Sequence, residues 1–214
     1  MPSMSTISMN KVIHAAIRRD LDRFVGALGT FPAGDRDRAA ELGRAWDNFD
    51  QELTHHHTGE HEIAWPALEQ VGVSRATLEQ MDAEHETMAA ALTTSRAAMS
   101  TLRADPSAAS STTALAAVQH LREVTVTHLD HEEQEIEPVY LANADSAPIK
   151  EMGRQFARAQ NPARAGRFFA WVMNGATPEE QAAVREGIPK PVLAVISGVF
   201  GRRYRKEIAP VWTH

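Results

Sequence analysis

Two histidine-rich stretches of the chain repeat each other at a distance of 72 residues. The first, HHTGEHEIAWP, begins at His56, and the second, HLDHEEQEIEP, begins at His128. Each stretch has a Glu four residues after its first His and a Pro six residues after that Glu. A lone histidine precedes each stretch by 42 or 43 residues, at His14 and His85. A long period of this kind indicates a duplicated structural unit.

The spacing within each stretch places its His and its Glu on one face of a helix. Residues i and i+4 lie one turn apart, so each pair can chelate a metal from its own helix. The lone histidines stand among apolar residues at helical spacing, which predicts that both face a helical core. Imidazoles and carboxylates together suit Fe, Mn or Zn better than Mg or Ca. The six predicted metal ligands are His14, His56, Glu60, His85, His128 and Glu132.

Two carboxylates among four imidazoles predict two metal ions bridged by the glutamates. Burying the carboxylates without a cation would be costly. A lone histidine on an apolar face is more often a core residue, and a lone His-x-x-x-Glu pair is more often a surface contact. The duplication favours ligation over both alternatives. The other histidines lack histidine counterparts 72 residues away, so solvated or indirect roles are expected for His55, His57, His61, His120, His131 and His214.

Helix-forming residues dominate the chain, and alternating β-branched runs are nearly absent, so we predict an all-α protein. Four long amphipathic helices with short connections are typical of an up-down-up-down four-helix bundle. Pro66 and Pro138 are expected to kink their helices just beyond the metal layer. The long helices are expected at about 6–29, 35–71, 74–103 and 111–142, and shorter ones at 147–159, 162–174, 178–187 and 191–208.

Charge divides the chain into an acidic body and a basic tail. Residues 1–149 carry 11 Lys and Arg against 23 Asp and Glu, whereas residues 150–214 carry 11 against 5. We predict a bundle domain over 1–145 and a C-terminal helical extension over 146–214 that packs on it. An acidic body argues against nucleic-acid binding. The basic segment 202–206 is a candidate for docking to a membrane surface or a partner, with packing on the acidic bundle as the alternative.

Composition also excludes several classes of site and location. The chain has no cysteine, which excludes disulfides, Fe–S clusters and thiolate zinc sites. Charged residues interrupt the apolar positions near the amino terminus, so no signal peptide is expected. No apolar run approaches the roughly 18 residues that a transmembrane helix needs. We therefore predict a cytoplasmic protein without a transmembrane segment.

The duplicated ligand pattern resembles the hemerythrin-like family, in particular its HHE cation-binding branch. The resemblance covers about residues 8–142 and includes both His-x-x-x-Glu pairs, before AWP and before IEP. It implies a four-helix bundle that holds a non-haem di-iron site at the same six positions. The implied cofactor is two iron ions, with Mn or Zn as alternatives, bridged by carboxylates and by an oxo or hydroxo group.

One position departs from the pattern of the oxygen-carrying hemerythrins. They have a second histidine one turn after the third-helix ligand, and here that position is Ala89. Glu62, Tyr140 or water are the alternatives for completing the coordination. A site with open positions can bind and activate small molecules. We therefore expect reaction with O2, a peroxide or nitric oxide rather than reversible carriage of oxygen.

Three functions remain open at this point. The first is a di-iron protein that binds or turns over O2, hydrogen peroxide or nitric oxide in redox and iron homeostasis under oxidative stress. Turnover would make it a peroxide- or NO-consuming oxidoreductase. The second is a metal- or redox-responsive sensor or interaction protein without turnover. The third is an iron or zinc buffer.

Overall fold

The computed structural model describes residues 7–159, 161–188 and 196–213. These residues form helices and turns and contain no β-strand, which confirms the predicted all-α class. The chain divides into two compact units. One unit is continuous, Arg18–Arg154, and the other combines residues 1–17 with residues 155–214.

The continuous unit is built from four long helices and three shorter ones. The loops between the long helices are short, as the sequence predicts. Its first helix, α1, starts before the unit, and α7 runs past its end. In chain order the elements are α1 (Met9–Gly29), α2 (Arg36–Gly59), a π-helical segment (Glu60–Ala64), α3 (Trp65–Gln70), α4 (Arg75–Ala104), α5 (Ala108–Glu135), α6 (Glu137–Ala142) and α7 (Ala147–Ala159).

Contacts between neighbouring long helices show that they run antiparallel. In each neighbouring pair, later residues of one helix meet earlier residues of the other. The helices therefore alternate in direction around a closed ring, which confirms the up-down-up-down bundle. The defining contacts are Arg18–Glu133 (2.7 Å) and Arg122–Asp22 (2.6 Å) between α1 and α5, Phe24–Trp46 (5.4 Å between ring centroids) between α1 and α2, Arg96–Asp50 (2.8 Å) and Arg103–Asp47 (3.3 Å) between α2 and α4, and Ser95–Ala117 (3.1 Å) between α4 and α5.

The inner faces of the four helices form a closely packed apolar core. Phe24 meets the rings of Trp46 and Phe49 edge-on, at 5.4 and 5.8 Å. Burial of such side chains supplies most of the free energy that stabilises a bundle. Fully buried members of this core include Leu21, Phe24, Leu42, Phe49, Leu53, Met81, Met88, Leu102, Val118, Leu121 and Leu129.

The fourth long helix starts earlier than the sequence predicts. It begins at Ala108 rather than near residue 111, because Ser107 already acts as its N-cap. The Ser107 Oγ accepts a hydrogen bond from the Ser110 amide at 3.2 Å. The Ser110 hydroxyl in turn donates to the carbonyl of Asp105. These bonds satisfy backbone groups at the junction and allow the helix to start inside the ADPSAASS stretch.

The predicted bend near Pro66 takes the form of a π-helical turn. The Trp65 amide donates to the carbonyl of Glu60, five residues earlier, instead of to a residue four positions back. Pro66 has no N–H, so the α-helical bond to the Glu62 carbonyl cannot form. Around Pro138 the regular helix is also interrupted, with α5 ending at Glu135 and α6 beginning at Glu137. Single π turns within α-helices occur frequently at functional sites.

The second unit contains further short helices. Thr177 forms a capping box with Glu180 at the start of one of them. Trp171 and Tyr204 are its largest fully buried side chains. The helix predicted at 191–208 lies partly outside the described residues, and its described part is a π-helical segment followed by a short α-helix. The elements are α8 (Pro162–Met173), α9 (Pro178–Gly187), the π-helical segment Ile196–Phe200, α10 (Arg202–Glu207) and a 3-10 turn (Ala209–Trp212).

Within the part of the chain that the structure describes, no helix combines the length and apolar character needed to cross a membrane.

Candidate metal centre

Both predicted His–Glu pairs face the interior of the bundle unit. On α2 and the π-helical segment, His56 Nε2 lies 3.0 Å from Glu60 Oε1. On α5, His128 Nε2 lies 3.9 Å from Glu132 Oε2. The glutamates and His128 are at most 4% exposed. The one-turn spacing therefore brings nitrogen and oxygen donors together on each of two helices.

His85 on α4 joins these two pairs into one cluster. Its Nε2 atom lies 3.0 Å from His128 Nε2 and 3.4 Å from Glu60 Oε2. One carboxylate oxygen of Glu60 thus faces His56 and the other faces His85. A carboxylate placed between nitrogen donors in this way is suited to bridging two cations. Three helices contribute donors to the cluster.

The donor set fits a metal ion better than it fits a hydrogen-bond network. The oxygens of Glu60 are buried, yet no N–H group of the described residues donates a hydrogen bond to either of them, despite the nearby Nε2 atoms. Buried polar atoms are normally hydrogen-bonded, so this exception requires an explanation. Two nitrogens bound to one ion at about 2.1 Å and a right angle lie about 3.0 Å apart. The His85–His128 separation matches that distance.

A family model for the hemerythrin HHE cation binding domain matches residues 6–158. The chain belongs to the hemerythrin HHE cation-binding family. No curated protein and no solved structure matches it. The family match shows a cation-binding domain, and the His/Glu clusters offer candidate imidazole and carboxylate donors for a cation.

Electrostatics in this hemerythrin-like domain favour binding of a cation. Burial raises the pKa of Glu60 well above its usual value, and the neighbouring charge of Glu132 raises it further. The two carboxyls lie close enough to share a proton, but when both are ionised neither can donate a hydrogen bond. A cation between them would remove this repulsion and compensate the burial of both charges.

Burial favours the neutral form of two histidines of the cluster, His57 and His85. Burial, and then the nearby His128, lower the pKa of His85 from 6.5 to about 4. Burial also lowers the pKa of His57, and His85, His56 and His128 add to that effect. A neutral imidazole keeps a nitrogen lone pair, which metal binding requires.

A carboxylate outside the cluster orients one of the predicted ligands. Glu84 on α4 accepts hydrogen bonds from Nδ1 of His128 at 2.9 Å and from Nδ1 of His131 at 2.7 Å. An ionised carboxylate can only accept, so the proton of His128 resides on Nδ1. Its Nε2 lone pair therefore points into the cluster. Partners of this kind fix both the tautomer and the ring orientation of metal-binding histidines.

Asp82 supports the cluster on the side of α4 that faces the π-helical segment. Trp65 Nε1 donates to Asp82 Oδ1 at 2.9 Å, and the indole stacks on the ring of His85 with 5.9 Å between centroids. Asp82 Oδ1 also lies 3.9 Å from His85 Nδ1. The indole and the carboxylate together hold His85 in place.

The sixth predicted ligand, His14, lies on α1 and is fully buried. It belongs to the unit that contains residues 1–17, so its role stays a prediction. Ala89 and Glu62, where the sequence leaves the coordination open, are both exposed. Tyr140 is half-buried, and burial raises the pKa of its phenol.

His214 lies outside the described residues, and among the described histidines for which the sequence predicts a solvated or indirect role, His57 differs in its surroundings. His61 is exposed and contacts Asp82 at 3.1 Å, whereas the His57 ring stacks on His85 with 4.2 Å between centroids. Comparison of the two repeats missed His57 because its counterpart 72 residues later is Leu129. Its position next to His56, in the turn before the π-helical segment, is the available sequence signal.

Proposed function

We propose that this hemerythrin-like chain is a non-haem di-iron protein that binds and turns over a small oxidant or diatomic ligand. The observation that carries the proposal is the buried Glu60 carboxylate, whose oxygens face His56 at 3.0 Å and His85 at 3.4 Å. The cofactor is two iron ions, with Mn or Zn as alternatives. The proposed ligands are His14, His56, Glu60, His85, His128 and Glu132.

His14 enters this set from the sequence pattern. Its side chain is fully buried, although histidine is not among the residue types that are most often fully buried. It lies four residues before Arg18 on α1, whose guanidinium binds Glu133 at 2.7 Å. These features support His14 as the sixth ligand.

Bound iron would supply redox electrons and open coordination positions for O2, hydrogen peroxide or nitric oxide. The protein's own side chains would bind the ions, orient the ligands and neutralise the positive charge of the ions. The imidazoles of His85 and His128 present Nε2 lone pairs, and Glu84 holds the proton of His128 on Nδ1. The raised pKa of Glu60 makes its carboxyl a group that holds a proton when no cation is bound. Burial excludes bulk water from Glu60 and His128.

This function belongs to redox and iron homeostasis under oxidative stress, in the cytoplasm. Turnover of peroxide or nitric oxide would make the protein an oxidoreductase. The Glu60-centred cluster favours this function over a metal buffer, because a bridging carboxylate couples two metal positions rather than storing ions independently.

The proposal is tested by metal analysis and optical spectroscopy of protein purified without added metal. We expect two irons per chain and charge-transfer absorption that changes when hydrogen peroxide or nitric oxide is added. His56→Ala or Glu132→Ala should reduce the content to about one iron or fewer. His61→Ala should keep two, because His61 points to Asp82 at the surface.

Two other outcomes of this experiment have definite meanings. Protein that retains no transition metal, even after reconstitution with Fe(II), would contradict the proposed centre. Protein that holds two irons but shows no response to O2, peroxide or nitric oxide would favour the sensor or the buffer instead.

Docking through segment 202–206 stays a prediction. The four cationic side chains of α10 are exposed, whereas Tyr204 between them is buried. Val199 and Phe200, just before α10, are also exposed, at 60% and 40%. Exposed cations beside exposed apolar side chains are typical of segments that bind an anionic surface.

The division into a domain over 1–145 and an extension over 146–214 likewise remains a prediction.

A further inference from the structure

We propose that His57 is a further metal ligand and binds the same ion as His85 and His128. From α2 it supplies the additional imidazole that oxygen-carrying hemerythrins have on the third long helix. This inference rests on the proposed metal centre. It makes the two metal positions unequal, with three imidazoles at one of them.

The His57 ring lies against the rings of two predicted ligands, His85 and His128. Its ring stacks on His85, with 4.2 Å between centroids and 24° between planes, and meets His128 edge-on at 5.8 Å. One donor atom from each of His57, Glu60, His85 and His128 lies within 4.8 Å of the other three. Four donors from α2, the π-helical segment, α4 and α5 thus surround one point.

The ring nitrogen of His57 also supports its role as a ligand. Its Nε2 atom is buried and has no hydrogen-bond partner among the described residues. A histidine that served only to fill the core would be expected to satisfy that nitrogen with a protein partner. The neighbouring His61, one turn later, satisfies its Nδ1 with Asp82 and remains exposed. The two members of this i, i+4 pair therefore have different surroundings.

Two of the positions that the sequence points to for this part of the coordination lie at the surface, and a third, Tyr140, is half-buried. Ala89, one turn after His85 on α4, is exposed, and so is Glu62 in the π-helical segment. The helix positions that carry them point away from the cluster. Besides His128, the fold places the imidazole of His57 beside His85. As a consequence, the other ion, which His56 binds, would have more open coordination positions.

The test uses the full-length metal-free protein and Co(II) as the probe. Isothermal titration gives the number and affinity of the sites, and visible absorption reports their coordination. His57→Ala should weaken one of the two sites more than a hundredfold and change the Co(II) spectrum, and added imidazole should restore both. His55→Ala and His61→Ala serve as matched histidine controls and should resemble wild type. Loss of a ligand should exceed the 10–100-fold effect that is usual for a residue supporting a ligand.

The outcomes separate this inference from the proposed metal centre. Wild-type affinity and spectrum in His57→Ala, with two ions bound, would overturn the role of His57 and leave the centre intact. Failure of the wild type itself to bind Co(II) or Fe(II) would overturn the centre. His57→Gln, which preserves side-chain volume, replaces the Ala variant if circular dichroism shows that the latter does not fold.

Discussion

Among single residues, Glu60 is the most important to the proposed metal centre. Its carboxylate is buried between His56 and His85, and Glu132 adds a second negative charge nearby. Such an arrangement destabilises the metal-free fold, because burial disfavours the charged form. The same carboxylate is the best-placed bridging ligand. Stability without metal and affinity for metal should therefore respond in opposite directions when Glu60 is changed.

Replacing Glu60 by Gln tests this opposition. The pKa of Glu60 is raised in the folded state, so its contribution to stability is present below the unfolded pKa of about 4.5 and is lost as the pH rises through the folded pKa. Gln does not titrate. Metal-free Glu60→Gln should therefore be more stable than wild type at pH 8, by about 1 kcal/mol or more, and the difference should shrink towards pH 5. Urea unfolding across this pH range measures it.

The exposed Glu62 provides the matched control for that series. Glu62→Gln should leave both the unfolding free energy and the metal affinity unchanged, since its carboxylate is solvated. If metal-free Glu60→Gln were less stable than wild type at pH 8, the carboxylate would be satisfied within the protein and the electrostatic argument would be wrong.

The residue scale also shows how far sequence can predict this site. The pairs His56–Glu60 and His128–Glu132 follow from helix periodicity alone, and the structure brings the donor atoms of each pair within 3.0 and 3.9 Å. His57 does not follow from it. Its role depends on which side of α2 faces His85, and comparison of two repeats cannot show that where the repeats differ.

At the scale of elements, the turn that contains Glu60 differs from an ordinary helix. The sequence predicts one helix over 35–71 with a bend at Pro66, and the structure replaces the bend by a π turn over Glu60–Ala64. Hydrophobic periodicity averages over several turns, so it does not resolve one widened turn. The missing N–H of Pro66 identifies where α-helical bonding must fail, but not which neighbouring carbonyl changes its partner.

Two partly buried salt bridges of Arg18 stabilise the contact between α1 and α5. Arg18 binds Glu133 at 2.7 Å and Asp130 at 2.6 Å, with its side chain only 25% exposed. Arg18→Ala should lower the unfolding free energy by about 1 kcal/mol, the upper end for such pairs. Arg122→Ala should cost about half of that or less, because its pair with Asp22 is more exposed. Chemical denaturation of both variants checks the difference, and equal losses would contradict it.

At the scale of the whole molecule, the fold turns a sequence repeat into a single centre. The two halves of the repeat lie on consecutive helix pairs, and antiparallel packing brings the second stretch of each half towards the other. His85 Nε2 of the second half lies 3.4 Å from Glu60 Oε2 of the first. The acidic balance of residues 1–149 adds a favourable long-range field for divalent cations. Binding should therefore be coupled to stability of the bundle.

Anomalous diffraction at the iron absorption edge, from crystals of the iron-loaded protein, would locate the ions relative to Glu60. Our account predicts two anomalous peaks inside the bundle, both adjacent to the carboxylate of Glu60, with His85 and His128 at one and His56 at the other. Iron found only at exposed carboxylates, or a bundle interior without any peak in fully loaded protein, would contradict it.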